Sequence, residues 1–178
     1  EVATVYGWFA LPVEFVFSTK PAKALGDPKL WEKAEAMIES ALKRSGAKWR
    51  LNAGDGAFYA PKIDIIVRDA LGREWQTATI QVDLAMLPER FDLEYVDESG
   101  ERVRPIAIHR AIYGSLERFI GILVEHYAGA FPFWLSPEQV VIIPITDRHT
   151  DAARAGAAAL RAAGIRVSID DSSNRMQN

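Results

Sequence analysis

Hydrophobic and polar positions change their spacing several times along the chain, and each change marks an element. Residues 13–18 (Val-Glu-Phe-Val-Phe-Ser) are dominated by strand-forming valine and phenylalanine and predict a β-strand. The spacing then turns helical: Leu30, Ala34, Met37, Ile38, Ala41 and Leu42 share one face of a helix predicted over residues 29–44. Asp27 supplies its N-cap, Pro28 its first turn and Gly46 its stop. The turn Gly54-Asp55-Gly56 leads into a strand at 58–69, where Ile63, Ile65 and Val67 point one way and Lys62, Asp64, Ile66 and Arg68 the other, so one face is wetter. Residues 69–73 form the hairpin connection to a strand at 74–83. Strands at 91–96 and 103–108 flank a turn at 97–100, and from 115 to 127 Leu116, Phe119, Ile120, Leu123 and Tyr127 return to helical spacing.

Strands feeding a long helix predict an α+β fold built on an antiparallel sheet with helices. The stiff Pro-Phe-Trp-Leu-Ser-Pro stretch at 132–137 then marks a boundary, dividing a first domain at 1–134 from a second at 138–178. Beyond it the style changes to a βαβ unit, with an apolar strand at 140–145, an alanine-rich helix at 147–163 ended by Gly164, and a strand at 165–169 in a parallel sheet. The chain enters on Glu1 without an initiator Met and stops at Asn178 without a closing element, so this second α/β part reads as truncated and the whole as a segment of something longer.

Composition narrows the function little. The 178 residues are 49% apolar and 25% charged, with a formal net charge of -3, so no basic surplus argues for nucleic acid. Cysteine is absent, which excludes disulfides and thiolate metal sites within these residues. No apolar run approaches the roughly 18 residues of a membrane span, so the expectation is a cytoplasmic protein with no membrane partner. Walker loops, paired cysteines and nucleophile elbows are also missing.

Three clusters remain as candidate chemistry. In residues 108–119, Ala111, Gly114 and Ser115 let a flat ligand approach the backbone, and Arg118 in the first helical turn suits a phosphate or an aromatic base. By spacing alone Arg118 fits equally a structural Arg–Glu pair, and His109 fits a hydrogen-bonded core residue as well as a metal ligand. Residues 56–62 deliver Tyr59 and Lys62, a phenol and an ammonium, which read either as substrate contacts or as a core aromatic and an edge charge. In residues 76–83, Thr79, Gln81 and Asp83 share a strand face that excludes Gln76, so a joint role for the two glutamines requires a bulge or a strand end between them.

Taken in order, FSTKPAKALGDPKLWEKAE, GDGAFYAPKIDIIVRDALGREWQ, ATIQVD, LPERFDLEYVD and RPIAIHRAIYGSLERFIGILVEHYAGAFPFWLSPEQVVIIPITD resemble the threonyl-tRNA synthetases of class IIa over essentially the whole chain. The block from His109 to Phe119 is similar to motif 3 of class II synthetases in its threonine-specific form. The resemblance implies the C-terminal part of a class II catalytic core followed by the start of an anticodon-binding domain. It implies ATP-dependent activation of L-threonine and transfer to tRNA(Thr), with Mg2+ accompanying ATP, Zn2+ in the catalytic domain and a homodimer for the full-length enzyme.

Carried over by position, the resemblance implies that Arg118 and Lys62 act at the reaction centre. Tyr59, Thr79, Gln81 and Ala111 would hold threonine; Gln76, Gly114, Ser115 and Arg118 would hold ATP; and His109 would be one of three zinc ligands. His109 and Arg118 are then expected to face one cleft. Ala60 stands where many members carry glycine, and residues 82–88 run one residue longer than the usual form. The family's remaining zinc ligands, motif 1 and the motif 2 arginine fall upstream of Glu1, which implies that the segment alone is inactive. The alternatives are a non-catalytic paralogue that binds threonine or tRNA, and another class IIa synthetase, prolyl or seryl.

Overall fold

The computed structural model describes residues 1–84 and 86–172. The tail from Ser173, on which the reading of a cut C-terminus rests, and Ala85 in the lengthened 82–88 stretch lie outside the described residues. The chain forms two compact units, Glu1–His126 and Tyr127–Asn178.

The first unit contains helices α1 (Val2–Trp8), α2 (Pro28–Ser45), α3 (Met86–Arg90) and α4 (Leu116–His126). Its strands are β1 (Val13–Ser18), β2 (Trp49–Asn52), β3 (Lys62–Arg68), β4 (Glu74–Asp83), β5 (Tyr95–Val96), β6 (Arg102–Val103) and β7 (Ala107–Ala111). Five strands form one sheet in the order β2-β1-β3-β4-β7, antiparallel except for the parallel β1–β2 pair. Among the described residues β5 and β6 pair only with each other.

The expected α2 has its expected ends: Asp27 accepts from the Lys29 N–H at 2.8 Å, Pro28 opens the first turn and Gly46 closes it in the left-handed region. It buries Trp31, Ala34, Ile38 and Leu42, while Met37 stays 41% exposed beside a groove with Ile63, Ile80 and Ile108. Ile63, Ile65 and Val67 are buried on the apolar face of β3, each burial stabilising by about 1.5–3 kcal/mol. Phe119 of α4 meets Tyr6 and Phe9 of the N-terminal segment edge-on, at ring-centroid separations of 5.7 and 5.2 Å. α4 buries Phe119, Ile122 and Leu123, whereas Leu116 and Ile120, expected on the inner face, are exposed.

Other expectations are corrected at their ends. β3 begins at Lys62 and not at 58, because residues 57–60 turn, with the Ala60 N–H reaching the Ala57 carbonyl, and Pro61 has no N–H to give a ladder. The strand expected at 91–96 shrinks to β5, since Phe91 and Asp92 close the α3 turn by bonding Leu87 and Glu89. The strand expected at 103–108 divides into β6 and β7 around Pro105.

The second unit has β8 (Val140–Ile142), a 3-10 turn (Asp147–His149), α5 (Thr150–Ala162) and β9 (Val167–Ile169). β8 and β9 are parallel, as the βαβ pattern predicts, but Pro144 follows soon after a shortened β8, and the helix expected from 147 starts as a 3-10 turn. Among the described residues no helix is long and apolar enough to cross a membrane.

Candidate functional site

Register decides which side chains share the polar face of the sheet. Partners across an antiparallel ladder point the same way, so the pairs Lys62–Gln81, Asp64–Thr79, Gln81–His109 and Thr79–Ala111 put these residues on one surface. Between Ile65–Ala78 and Ile66–Gln76 the register shifts, leaving Thr77 as the extra residue of a β-bulge. The bulge resets the alternation of β4 and brings Gln76 to the face of Thr79 and Gln81, which an ideal strand would forbid. Tyr6 pins it from behind: its fully buried hydroxyl lies 2.7 Å from Thr77 Oγ1 and donates to the Ile112 carbonyl at 2.7 Å.

Asp64 is the centre of this face. Its carboxylate, only 3% exposed, accepts from Ser18 Oγ at 2.8 Å, Gln76 Nε2 at 2.5 Å and Thr79 Oγ1 at 3.4 Å, and pairs with Lys62 Nζ at 2.8 Å. The cluster thereby balances a buried negative charge with one cation and three neutral donors. Neither Asp64 nor Ser18 is singled out by the sequence, where an acidic residue alternating along a strand reads as solvent-facing. The available signal was Lys62 and Asp64 two residues apart, hence on one face, opposite a strand rich in Gln and Thr.

A second group surrounds His109. The Tyr59 hydroxyl donates a short hydrogen bond to Gln81 Oε1, and the Tyr59 ring meets the imidazole edge-on at 5.8 Å. Burial raises the Tyr59 pKa, the nearby Asp83 charge raises it further, and the Gln81 bond opposes both, so the phenol stays a donor at neutral pH. His109 Nε2 is buried and makes no hydrogen bond among the described residues, although Asp83 Oδ2 lies 3.5 Å away. Asp83, fully buried, accepts from the Met86 and Leu87 N–H groups at 2.8 and 3.0 Å. Such an orphaned imidazole nitrogen fits a metal ligand, because an unpaired buried polar atom otherwise costs free energy. Among the described residues no group of three or more His, Cys, Asp or Glu could hold a metal ion, so His109 fits one position of a site and not a complete one.

The turn after β7 brings Gly114 against the bulge. Its φ is +62°, and a Cβ there would fall 2.7 Å from the Thr77 carbonyl oxygen, so only glycine passes. Ser115 caps α4, accepting from the Arg118 N–H at 3.3 Å while its hydroxyl donates to Glu117 at 2.8 Å. Its own backbone N–H and the Ser115 hydroxyl hold Glu117 below the usual carboxylate range.

Arg118 departs from expectation. Its guanidinium sits over the Trp75 ring, 5.5 Å from the centroid, and Trp75 pairs with Val67 on the apolar side of the register. The structure gathers Tyr59, Lys62, Gln76, Thr79, Gln81, His109 and Ala111 on one face but does not bring Arg118 to His109. The reason is local: an exposed arginine takes the aromatic face within reach of its long side chain, and Trp75 is held in place by donating to Asp69 at 2.8 Å.

With the geometry described, comparison with known proteins adds the lineage. Residues 14–127 match the model of the tRNA synthetase class II core domain (G, H, P, S and T), and residues 139–178 match that of the anticodon binding domain. A threonine-tRNA ligase of Anaeromyxobacter dehalogenans is 56% identical over 172 residues, which is 97% of this chain and 26% of the relative. One from Deinococcus deserti is 58% identical over 155 residues, 87% of this chain and 24% of the relative. The chain thus spans about a quarter of the length of the curated relatives it matches. The crystal structure of the RNA binding domain of threonyl-tRNA synthetase from Cryptosporidium parvum superposes with a TM-score of 0.89 at 41% identity, over 99% of this chain and 44% of that one. A Giardia lamblia prolyl-tRNA synthetase in complex with prolyl-adenylate matches at TM-score 0.52 and 25% identity, over 69% of this chain and 28% of its own.

Proposed function

The chain belongs to the class II tRNA synthetase core family, and from that membership we propose that it forms the closing part of the catalytic domain of a threonine-tRNA ligase, residues 1–134, and the start of its anticodon-binding domain, residues 138–178. The whole enzyme, cytoplasmic and homodimeric, joins L-threonine to ATP to give threonyl-adenylate and pyrophosphate, then transfers threonine to tRNA(Thr). The threonyl assignment is favoured over the prolyl one by 56% identity to a threonine-tRNA ligase against 25% to a prolyl-tRNA synthetase.

The observation that carries this reading is the convergence of Tyr59, Gln81 and His109 with Lys62, Gln76 and Thr79 on one polar face. Tyr59, Thr79, Gln81 and Ala111 orient threonine so that its carboxylate can attack the α-phosphate in line. Lys62 neutralises charge near the reacting groups, and Gln76, Gly114 and Ser115 border the nucleotide. Catalysis of this kind is positioning and charge stabilisation, with no proton transfer demanded of the protein in the first step. Arg118 joins the nucleotide, whose phosphates are accompanied by Mg2+, only after leaving Trp75, a rotamer change open to an exposed arginine. His109 would hold zinc through Nε2, together with ligands from outside this chain. When bound, zinc supplies a Lewis acid that reads the amino and hydroxyl groups of threonine, which separates it from valine better than an apolar pocket can.

The test is a chimera in which this chain replaces the matching 172-residue region of the Anaeromyxobacter relative. Threonine-dependent ATP–pyrophosphate exchange is expected from the chimera and none from the chain alone. A chimera that folds and binds zinc yet exchanges with proline or serine in place of threonine, or with no amino acid, refutes the reading.

A further inference from the structure

Asp64 has no part in the roles set out above, yet three of the residues given one depend on it. Its carboxylate meets only donors: Oδ1 faces Gln76 Nε2 at 2.5 Å and Thr79 Oγ1 at 3.4 Å, while Oδ2 faces Ser18 Oγ at 2.8 Å and Lys62 Nζ at 2.8 Å. An ionised carboxylate accepts and never donates, so these contacts decide which end of each partner is used. Gln76 must turn its amide nitrogen toward Asp64, leaving its carbonyl oxygen for a ligand. Thr79 gives its single hydroxyl hydrogen to Asp64 and keeps lone pairs available. Lys62 is tethered as an ammonium, with its other N–H groups free to meet an anion.

Building on the threonine-ligase reading, we propose that Asp64 is a positioning residue that sets the hydrogen-bond polarity of the substrate face. It makes Thr79 an acceptor for a donor group of threonine and Gln76 an acceptor for a donor group of the nucleotide, and fixes Lys62 beside them for a carboxylate or phosphate. Packing alone has no use for a charge here, since an apolar residue would fill the space without the desolvation cost of a carboxylate that is 3% exposed. The arrangement also depends on the bulge at Thr77, without which Gln76 would face away from Asp64.

The inference predicts coupling between Asp64 and the side chains it orients. In the chimera with the Anaeromyxobacter relative, pyrophosphate exchange at saturating threonine is measured against ATP concentration for D64N, Q76A and the double variant. An asparagine at 64 offers Gln76 a donor as readily as an acceptor, so D64N is expected to raise the ATP KM about 10-fold with a smaller change in kcat, and Q76A likewise. The double variant should then show about 10-fold and not the roughly 100-fold of independent effects. Thermal unfolding followed by circular dichroism verifies that each variant is folded. If D64N does not fold, D64E enters the same cycle, since its longer side chain keeps the charge and displaces the oxygen from Gln76. An unchanged ATP KM in a folded Asp64 variant, or fully multiplicative effects in the cycle, overturns the proposal while the unmutated chimera still exchanges threonine. Failure of the unmutated chimera to use threonine instead overturns the ligase reading itself.

Discussion

Asp69 shows how one side chain sets the surroundings of an arginine it does not touch. Its carboxylate accepts from the N–H groups of Leu71 and Arg73 at 2.9 Å each, from Arg73 Nε at 2.5 Å and from the Trp75 indole at 2.8 Å. Burial is the largest single influence and pushes its pKa up. The hydrogen bonds from Trp75, from the Arg73 side chain and from the two backbone N–H groups together outweigh burial and bring the value down from 3.8 to about 2. A folded-state pKa below the unfolded one means that the carboxylate stabilises the fold above about pH 4, and that this contribution fades as pH falls toward 2. Asp69→Asn should therefore lower the thermal midpoint at pH 7, and the gap to the unmutated chain should close between about pH 4 and pH 2. Unfolding curves for both proteins across that range decide it; a gap that stays constant down to pH 2 would show that charge is not what the site uses. Because the same indole carries Arg118, the variant should also loosen the position of that guanidinium.

Among elements, the bulge in β4 is the best example of what the amino-acid pattern reveals and what it hides. The parity of Gln76 and Gln81 states the problem, since a shared face demands an extra residue, and the register shift at Thr77 supplies it. Elements with strong local signals, β1, α2 and β4, are legible to within a residue or two, because caps, helical spacing and β-formers agree there. Those missed are short or held by distant partners: α1 has no side-chain cap, β2 is four residues paired in parallel with β1, and α3 is one turn begun by the Asp83 carboxylate. Asp64 is hidden for the same reason, as only the pairing of β3 with β1 and β4 brings Ser18, Gln76 and Thr79 around it. Two glycines of the Gly114–α4 segment test the bulge by the sign of their response. Gly114→Ala places a Cβ 2.7 Å from the Thr77 carbonyl at a φ of +62° and should destabilise by about 1–3 kcal/mol in urea unfolding. Gly121→Ala, in mid-helix with nothing within 4 Å of the new Cβ, should stabilise by up to about 1 kcal/mol. Like signs from the two substitutions would mean that the close approach at Thr77 is not a constraint.

For the molecule as a whole, the uneven distribution of buried apolar residues between the two units matters most. Tyr6, Val16, Phe17, Trp31, Ile38, Ile65, Val67 and Phe119 all belong to the first unit, while among the described residues the buried hydrophobic ones of the second are Ala153 and Ala157. The second unit closes one parallel strand pair under one helix, and Ile143 and Ile145 beside β8 remain 53% and 72% exposed. A small apolar core offsets little of the conformational entropy lost on ordering a segment, so local opening there should need much less free energy than opening of the main sheet. Backbone amides of β8, β9 and α5 are accordingly expected to exchange with deuterium at least about 100-fold faster than those of β3 and β4 in the isolated chain at neutral pH, a difference of roughly 3 kcal/mol in opening free energy. Arg166 works against this trend by donating to the Ser136 and Trp134 carbonyls at 2.9 and 2.7 Å, so Arg166→Ala should widen the contrast in exchange rate. Protection of β8 equal to that of β3 would show that burial in the second unit is not what limits its stability.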